Sequence, residues 1–544
     1  MSHILFQYQP VDPTTWAYLS SLLMIGLFFK FNRFWSVRNV DLLLLILLAP
    51  GLLLVTYGRG EQVQAKAVAL RETNGNGTAA VTTPGRPDTR DEPMLPKVEP
   101  SQPFGAARDA TQPTLDGSDN ATPQLDKPSP QESAAASGEP ASPAKAKSET
   151  TPRELRADFE QGRFRERLGF VWLLAVGGIF LVRLLLDPTM VRRPLLEPNL
   201  STGGLIFIGC SLFIFLMANV IASIPTEDDL RGPKAAAQLL TRQPLGETVG
   251  DVSQQGPGLA WLSLLPSIPT MSFYGGKREL ADSEVIYVVT AKVTAILSHL
   301  AIVIAIIAVG YRHFDNIKMG IGAATLYLML PYTAMMTGHP RHVLPAALML
   351  WAVLCYRRPL VAGMFVGLAM AVVYFPLFLL PLWLSFYWQR GVMRFTLGFL
   401  ITVTVLALAQ ALVWTDPAVY WMNVQTMFGL WLPVREGLEG VWGLGWDPVY
   451  RIPVLTASIV LSCTMALWPA QKNLGTLLSC SAAVMVATQF WHGHGGGLFM
   501  AWYLPLALLT IFRPNLEDRV ALTVLGEGWF PRRRAKAATV EKAA

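Results

Sequence analysis

The chain has 544 residues, 52% of them hydrophobic and 15% charged, with 44 Lys and Arg against 38 Asp and Glu. A soluble protein of this size spreads its apolar residues periodically. Here they fall in blocks of roughly 18 to 25 residues almost free of charge, about the length that a helix needs to cross a bilayer, and the net charge of +6 sits at helix ends and in the tail, which speaks against a nucleic-acid partner.

The start, "MSHILFQYQPVDPTT", lacks the basic n-region and small-residue cleavage site of a secretory signal, so the first apolar block reads as a retained helix. Spans are predicted at 14–31, 40–57, 168–186, 202–222, 286–310, 319–336, 343–356, 360–374, 376–388, 395–413, 453–469, 474–489 and 498–512. That pattern predicts an all-α, polytopic membrane bundle of about 13 spans. Four segments follow: an N-terminal transmembrane hairpin (1–58), a linker (59–166), a multi-span core (167–514) and a basic cytoplasmic tail (515–544). The linker is rich in Pro, Ala, Ser and Thr with almost no aromatics. Such a stretch buries too little apolar area to offset its ordering entropy, which predicts a disordered extracytoplasmic tether. Cys210, Cys355, Cys463 and Cys480 all lie in predicted spans without paired ligand spacing, so neither a disulfide framework nor a zinc site is expected.

Short loops keep their Lys and Arg on the cytoplasmic side. Placing the N-terminus outside and the C-terminus inside puts Lys30, Arg33, Arg38, Arg183, Arg312, Lys318, Arg357, Arg358, Arg390, Arg394, Lys472 and "PRRRAK" in the cytoplasm. Short outer loops carry little more than Arg341, Arg435 and Arg451, and the one local conflict is Arg163, Arg165 and Arg167 beside the long tether. The polar material needing a purpose then collects outside.

"TEDD" places Glu227, Asp228 and Asp229 at the outer end of the fourth span. Two readings suit it: a solvated, acidic helix exit, or a base or cation-binding carboxylate, because hydroxyl activation needs a carboxylate and hard cations prefer oxygen. "GPGLAWLSLLPSIPT" (256–270) is apolar, short and proline-bearing, which suits a segment along the interface. "GHPRH" brings His339, Arg341 and His342 into a tight outer turn, where a guanidinium fork matches phosphate oxygens. Lys292 and His299 share a helical face in the fifth span; Lys292 either faces a wet cavity or snorkels outward. His492 and His494 of "HGHGGG" make a weak metal pair without a third ligand, and the glycines point to a closely bent backbone.

The outer loop from Trp414 to Pro453 holds Trp421, Arg435 and Arg451 among many aromatics and charges, either an interfacial belt or a pocket wall for sugar or lipid. Tyr374 lies in "VYFP", where prolines end one helix and start another. Irregular backbone at membrane depth needs protein or a cavity around it, so the break is expected to mark a cavity beside "TEDD" and "GHPRH".

The stretch "TGHPRHVLPAALMLWAVLCYRRPLVAGMFVGLAMAVVYFPLFLLPLWL" resembles the polytopic GT-C-type glycosyltransferases, particularly the bacterial polyprenyl-phosphate-mannose-dependent mannosyltransferase-like group. Gly338, Arg357, Arg358, Ala362, Gly363, Gly367, Pro376 and Pro381 fit that pattern, and "HGHGGGLFMAWYLPLALL" is similar to its late His-bearing loop and final helix. His339 stands where that group usually has Gln, and Val373 where it has Lys. The first 166 residues have no counterpart in the resemblance.

The resemblance implies an integral membrane glycosyltransferase of the cell envelope that moves a sugar from a polyprenyl-phosphate carrier to an acceptor of unknown identity at the outer face. In that reading Asp228 or Asp229, with Glu227 as substitute, is the base. Arg341, with His339, His342 or Lys292, meets the leaving phosphate. No resident metal or cofactor is assigned, a divalent cation is an open option, and membrane lipids surround the chain. The rival expectations are a membrane transporter and a catalytically inactive envelope scaffold.

Overall fold

A computed structural model describes residues 11–76, 152–190, 196–241, 256–274, 280–414, 416–429, 437–470 and 472–514. The chain divides into a large unit, residues 1–64 with 157–544, and a second unit, 65–156, of which only the last turns of one helix and the first of another are described. Among the described residues the secondary structure is helical, with no strand beyond one isolated bridge.

Asp12 opens α1 (Pro13–Phe28): its Oδ2 accepts from the backbone N–H groups of Thr14 and Thr15 at 3.0 and 3.3 Å, with Pro13 at the first helical position. The next two helices, α2 (Val37–Asn76) and α3 (Pro152–Leu186), run antiparallel. Glycines let their backbones touch, since a Cβ on Gly58 would lie 2.6 Å from both Glu166 N and Gly162 O. Arg59 Nε and Gln62 Nε2 each donate to Glu166 at 2.8 Å, and Arg165 pairs with Glu61.

These contacts correct the expected hairpin and linker boundaries. The helices continue beyond residue 58 and begin before 167, because charged side chains that cannot enter lipid still pair across a helical hairpin. The middle of the expected tether, 77–151, and the tail from 515 lie outside the described residues.

The remaining helices are α4 (Thr202–Ala222), α5 (Glu227–Thr241), α6 (Gly258–Tyr274), α7 (Leu280–Arg312), α8 (Ile317–Met329), α9 (Pro331–Met335), α10 (Pro340–Leu354), α11 (Pro359–Val372), α12 (Leu380–Tyr387), α13 (Val392–Val413), α14 (Pro417–Phe428), α15 (Arg451–Leu467), α16 (Leu474–Trp491) and α17 (Leu504–Phe512). Seven of the described helices are long and apolar enough to cross a membrane: α2, α3, α4, α7, α13, α16 and the one that includes α15. The other six predicted spans fold as shorter pieces. Prolines at 331, 340, 359, 376, 381 and 505 sit at or near helix starts, where a missing N–H costs nothing but continuation from the previous helix is blocked.

The short pieces occupy the inside. All of α8 after its first two residues is buried, as is most of α10, whereas α4, α13 and α15 present Phe207, Ile214, Leu408, Leu412 and Val460 outward. This is the expected division of labour in lipid: broken helices need protein around their ends, and intact ones tolerate hydrocarbon. Helix α11 packs on α13 almost backbone to backbone, because a Cβ on Gly363 would lie 2.1 Å from Phe395 O. In α6, Ser263, Ser267 and Thr270 face inward, and Leu265 and Ile268 outward.

At one end of the bundle a buried ionic chain ties three helices. Arg183 Nε and Nη2 lie 2.7 and 2.8 Å from the two Asp41 oxygens, Arg183 Nη1 is 3.2 Å from Asp187 Oδ1, and Arg513 Nη2 is 2.6 Å from Asp187 Oδ2. Asp187 has no exposed surface. Removing one partner from a buried network leaves the other charge stranded. Asp187→Ala is therefore expected to destabilise the bundle by about 3–5 kcal/mol, read as a lower Tm in detergent, whereas an unchanged Tm would mean that the chain is ornamental.

Candidate functional site

The site begins with a helix start. Thr226 precedes α5, and Asp229 reaches back so that its Oδ2 accepts from Thr226 N at 3.1 Å and Thr226 Oγ1 at 2.6 Å. This is one half of a capping box, with Asp in the usual Glu position and the Asp229 N–H donating to Thr226 O, and three acidic residues in the first turn favour the positive end of the helix dipole. The acidic run thus has a local structural role. Glu227 goes no further: it is exposed and pairs with Lys234 at 3.1 Å.

The other two carboxylates leave the helix start for a distant turn. His339, at the cap of α10, lies with Nδ1 2.8 Å from Asp229 Oδ2, and Arg341 Nη1 donates to Asp228 Oδ2 at 2.8 Å. Arg231 Nη2 holds the other Asp228 oxygen at 3.2 Å. Asp229 is buried, and its Oδ1 is out of solvent and without a hydrogen-bond partner among the described residues. Burial pulls the Asp229 carboxyl upward, but the His339 hydrogen bond and charge, joined by Thr226, outweigh it and hold the group below its ordinary value. With Nδ1 committed to the aspartate, Nε2 is the His339 ring atom left for other work.

Gly338 lets this turn approach the end of α4; a Cβ there would meet Ser223 Oγ at 3.3 Å. Beside it opens a cleft of about 590 Å³, lined by Asp12 and Trp16 of the N-terminal segment, Asn219 and Ser223 near the end of α4, and Asp229 and His339. That volume suits a small ligand or a headgroup.

A second cluster lies alongside, joined to the first through Phe499. The Phe499 ring stacks on His342 at 4.3 Å, lies 4.7 Å from His492 and sits 5.7 Å under the Arg341 guanidinium. His342 is buried, with Nδ1 2.8 Å from Tyr332 Oη. His492 Nδ1 accepts from His494 N at 3.1 Å, so the second histidine's backbone, not its ring, fixes the first. Arg451 Nε donates to Trp491 O at 3.3 Å, and a Cβ on Gly493 would strike its guanidinium, which gives one glycine of the run its purpose.

The expected cavity at the "VYFP" break is corrected. Val373 ends α11 in extended conformation, and the following turn is filled by rings: Phe375 stacks on His492 at 4.7 Å and lies 5.1 Å from both Trp491 and Trp502. Tyr374 packs over Gly429 and 6.1 Å from Trp491. The open space lies instead between the N-terminal helix and the Gly338 turn.

Lys292 and Trp421 stand outside these contacts. Lys292 Nζ donates to Ile221 O at 2.7 Å, capping the end of α4. Trp421 is exposed on α14, and Arg435 lies outside the described residues. His299 is satisfied in the core between Tyr327 Oη and Thr337 O. Among the described residues no three His, Cys, Asp or Glu side chains converge to hold a metal ion, and Asp228 and Asp229 direct oxygens to the protein's own basic groups.

Sequence reasoning passed over Trp16, Asn219, Tyr332 and Phe499. Asn219 left a signal, as a lone amide in an apolar span; Phe499 left none. Comparison with family models, curated proteins and solved structures returns no match.

The Asp229 shift carries a sign. A folded carboxyl held below its ordinary value contributes stability that is complete above the unfolded value and is lost as pH falls through the folded one. Asp229→Asn is expected to lower Tm at pH 7, with the gap to the unmutated protein closing below the ordinary aspartate range. A gap that stays constant down to pH 3 would contradict the assignment.

Proposed function

We propose that the chain is an integral membrane glycosyltransferase that moves a sugar from a polyprenyl-phosphate carrier to an acceptor hydroxyl at the outer membrane face. The observation that carries this reading is the adjacency of two unlike pairs, Asp229–His339 and Asp228–Arg341, on the same two turns beside a cleft. One pair accepts protons. The other offers a fixed cation within a hydrogen bond of its neighbour's carboxylate.

In the proposed step, the acceptor oxygen bonds to the anomeric carbon as the bond from that carbon to the carrier phosphate oxygen breaks. The hydroxyl proton goes to the Asp229 carboxylate, and the electron pair leaves with the polyprenyl phosphate. Because Asp229 is held below its ordinary value, it remains a carboxylate and takes the proton late, when the hydroxyl has already been acidified by bond formation. His339 positions that carboxylate. Arg341, whose Nε is out of solvent and unpartnered, meets the charge growing on the phosphate, and electrostatic stabilisation there is the larger contribution. The Arg341 guanidinium replaces the usual lysine at Val373 in this role.

The proposed topology has about 13 crossings, with short helices completing them in tandem: α8 with α9, and the turn Phe375–Leu379 with α12. The ends that share Lys30–Asn199, Arg183–Asp41 and Arg513–Asp187 contacts form the cytoplasmic face; those that share Asp12–Tyr57 and Asp229–His339 form the outer one. The basic loop residues support that orientation.

Purified protein in nanodiscs, supplied with labelled polyprenyl-phosphate sugars and membrane acceptor lipids, is expected to transfer label. Asp229→Asn should slow transfer by about 10²–10⁴-fold and Arg341→Ala by about 10²–10³-fold. Full activity in Asp229→Asn would end the base assignment.

A further inference from the structure

The loop between α1 and α2 carries "KFNRFWSVR" and is held from within by one side chain. Asn39 has no exposed surface. Its Nδ2 donates to the carbonyls of Lys30, Arg33 and Phe34 at 2.9, 3.0 and 3.2 Å, and its Oδ1 accepts from Lys30 N at 3.2 Å. Three carbonyls that meet at one nitrogen gather residues 30, 33 and 34 around a single point and fix the loop as a compact turn. Asn199, from the segment before α4, fixes the end of α1: its Nδ2 donates to Gly26 O and Phe29 O at 3.1 and 3.3 Å, carbonyls that the helix itself cannot satisfy, and its Oδ1 accepts from Lys30 Nζ at 2.5 Å.

This clamp presents rings and cations outward. Phe31 is 73% exposed and Trp35 84%, yet both belong to one cluster: the buried Phe29 meets Phe31 and Phe34 edge-on at 5.1 and 5.5 Å, and Phe34 meets Trp35 at 5.3 Å. Lys30, Arg33 and Arg38 stand among these rings, and residues 29–40 contain no carboxylate. Asp41, the next along the chain, is buried against Arg183, while the exposed Glu197 offsets part of the Arg38 charge. Arg33 is exposed and enters no ion pair among the described residues.

The loop also stands at a defined depth. The apolar run of α2, a helix long enough to cross a membrane, begins at Val40, so the loop before it meets the level of the lipid headgroups. Exposed rings at that level sit among headgroups of any charge. Cations gathered without carboxylates discriminate, because each Lys or Arg at an anionic surface strengthens association about five-fold. We propose that the α1–α2 loop is a docking surface for anionic phospholipid, with Phe31 and Trp35 in the headgroup layer and Lys30, Arg33 and Arg38 supplying the charge. It lies at the other end of α1 from the cleft, on the cytoplasmic side in the proposed topology, and it is independent of sugar transfer.

A chain of net charge +6 attracts anionic lipid elsewhere too, so the test reads contact at the loop itself. The photoreactive residue p-benzoylphenylalanine is placed at Phe31 in the full chain, in nanodiscs of equimolar phosphatidylglycerol and phosphatidylcholine, and the lipid adducts are counted by mass spectrometry. Phosphatidylglycerol is expected to be labelled at least ten-fold more than phosphatidylcholine. The same probe at Leu412, exposed on α13 with no Lys or Arg nearby in sequence, should label both lipids alike. Arg33→Gln should cut the preference at Phe31 about five-fold at unchanged Tm, Arg33→Lys should keep it, and high salt should weaken it.

Equal labelling of the two lipids at Phe31, a preference at Leu412 as large as that at Phe31, a preference that Arg33→Gln leaves intact, or adducts to protein alone would each overturn the assignment.

Discussion

The structure depends on two helix-start carboxylates that reach across the bundle to one basic turn. Asp229 is already engaged by Thr226, which pins the first turn of α5, and that engagement aims the same oxygen at His339. Asp228 is pinned between Arg231 and Arg341 in the same way. A local capping motif thus becomes a long-range tie, joining residues more than a hundred positions apart. The remaining Asp229 oxygen is left without a partner among the described residues, because the helix start and His339 have engaged the other one.

What makes such a tie possible in lipid is the placement of broken helices inside intact ones. The turns around 330–340 and 373–380 expose backbone polar groups that hydrocarbon would not tolerate. Phe375, Trp491, Trp502 and Phe499 close the second of these turns with stacked rings, whereas the first is left beside open space. The Asp41–Arg183–Asp187–Arg513 chain, away from this site, engages both carboxylates with arginines.

Much of this was legible beforehand. Uncharged blocks marked the apolar helices, and "TEDD" with "GHPRH" marked residues whose types complement each other. Their meeting, at Asp229–His339 and Asp228–Arg341, is a contact across more than a hundred residues that residue types alone do not specify. The cavity was misplaced, however, because a proline break signals irregular backbone without saying whether rings or space surround it. Trp16 and Phe499 were unreadable for a different reason: an aromatic near a membrane surface is the commonest of residues, and only packing turns it into a wall or a bridge. The ends of α2 and α3 were missed because pairs such as Arg59–Glu166 form across more than a hundred residues, while the local composition reads as linker.

The central claim is that the acidic helix start and the basic turn meet on the outer face. A cysteine at Gly338 would place its Cβ 3.3 Å from the present position of Ser223 Oγ, so the pair Ser223→Cys and Gly338→Cys, in a chain lacking its four native cysteines, tests that meeting directly. Oxidation of intact cells should join the two, and prior treatment with a membrane-impermeant maleimide should prevent it. No disulfide, or one that the maleimide blocks only after the membrane is opened, would contradict the account.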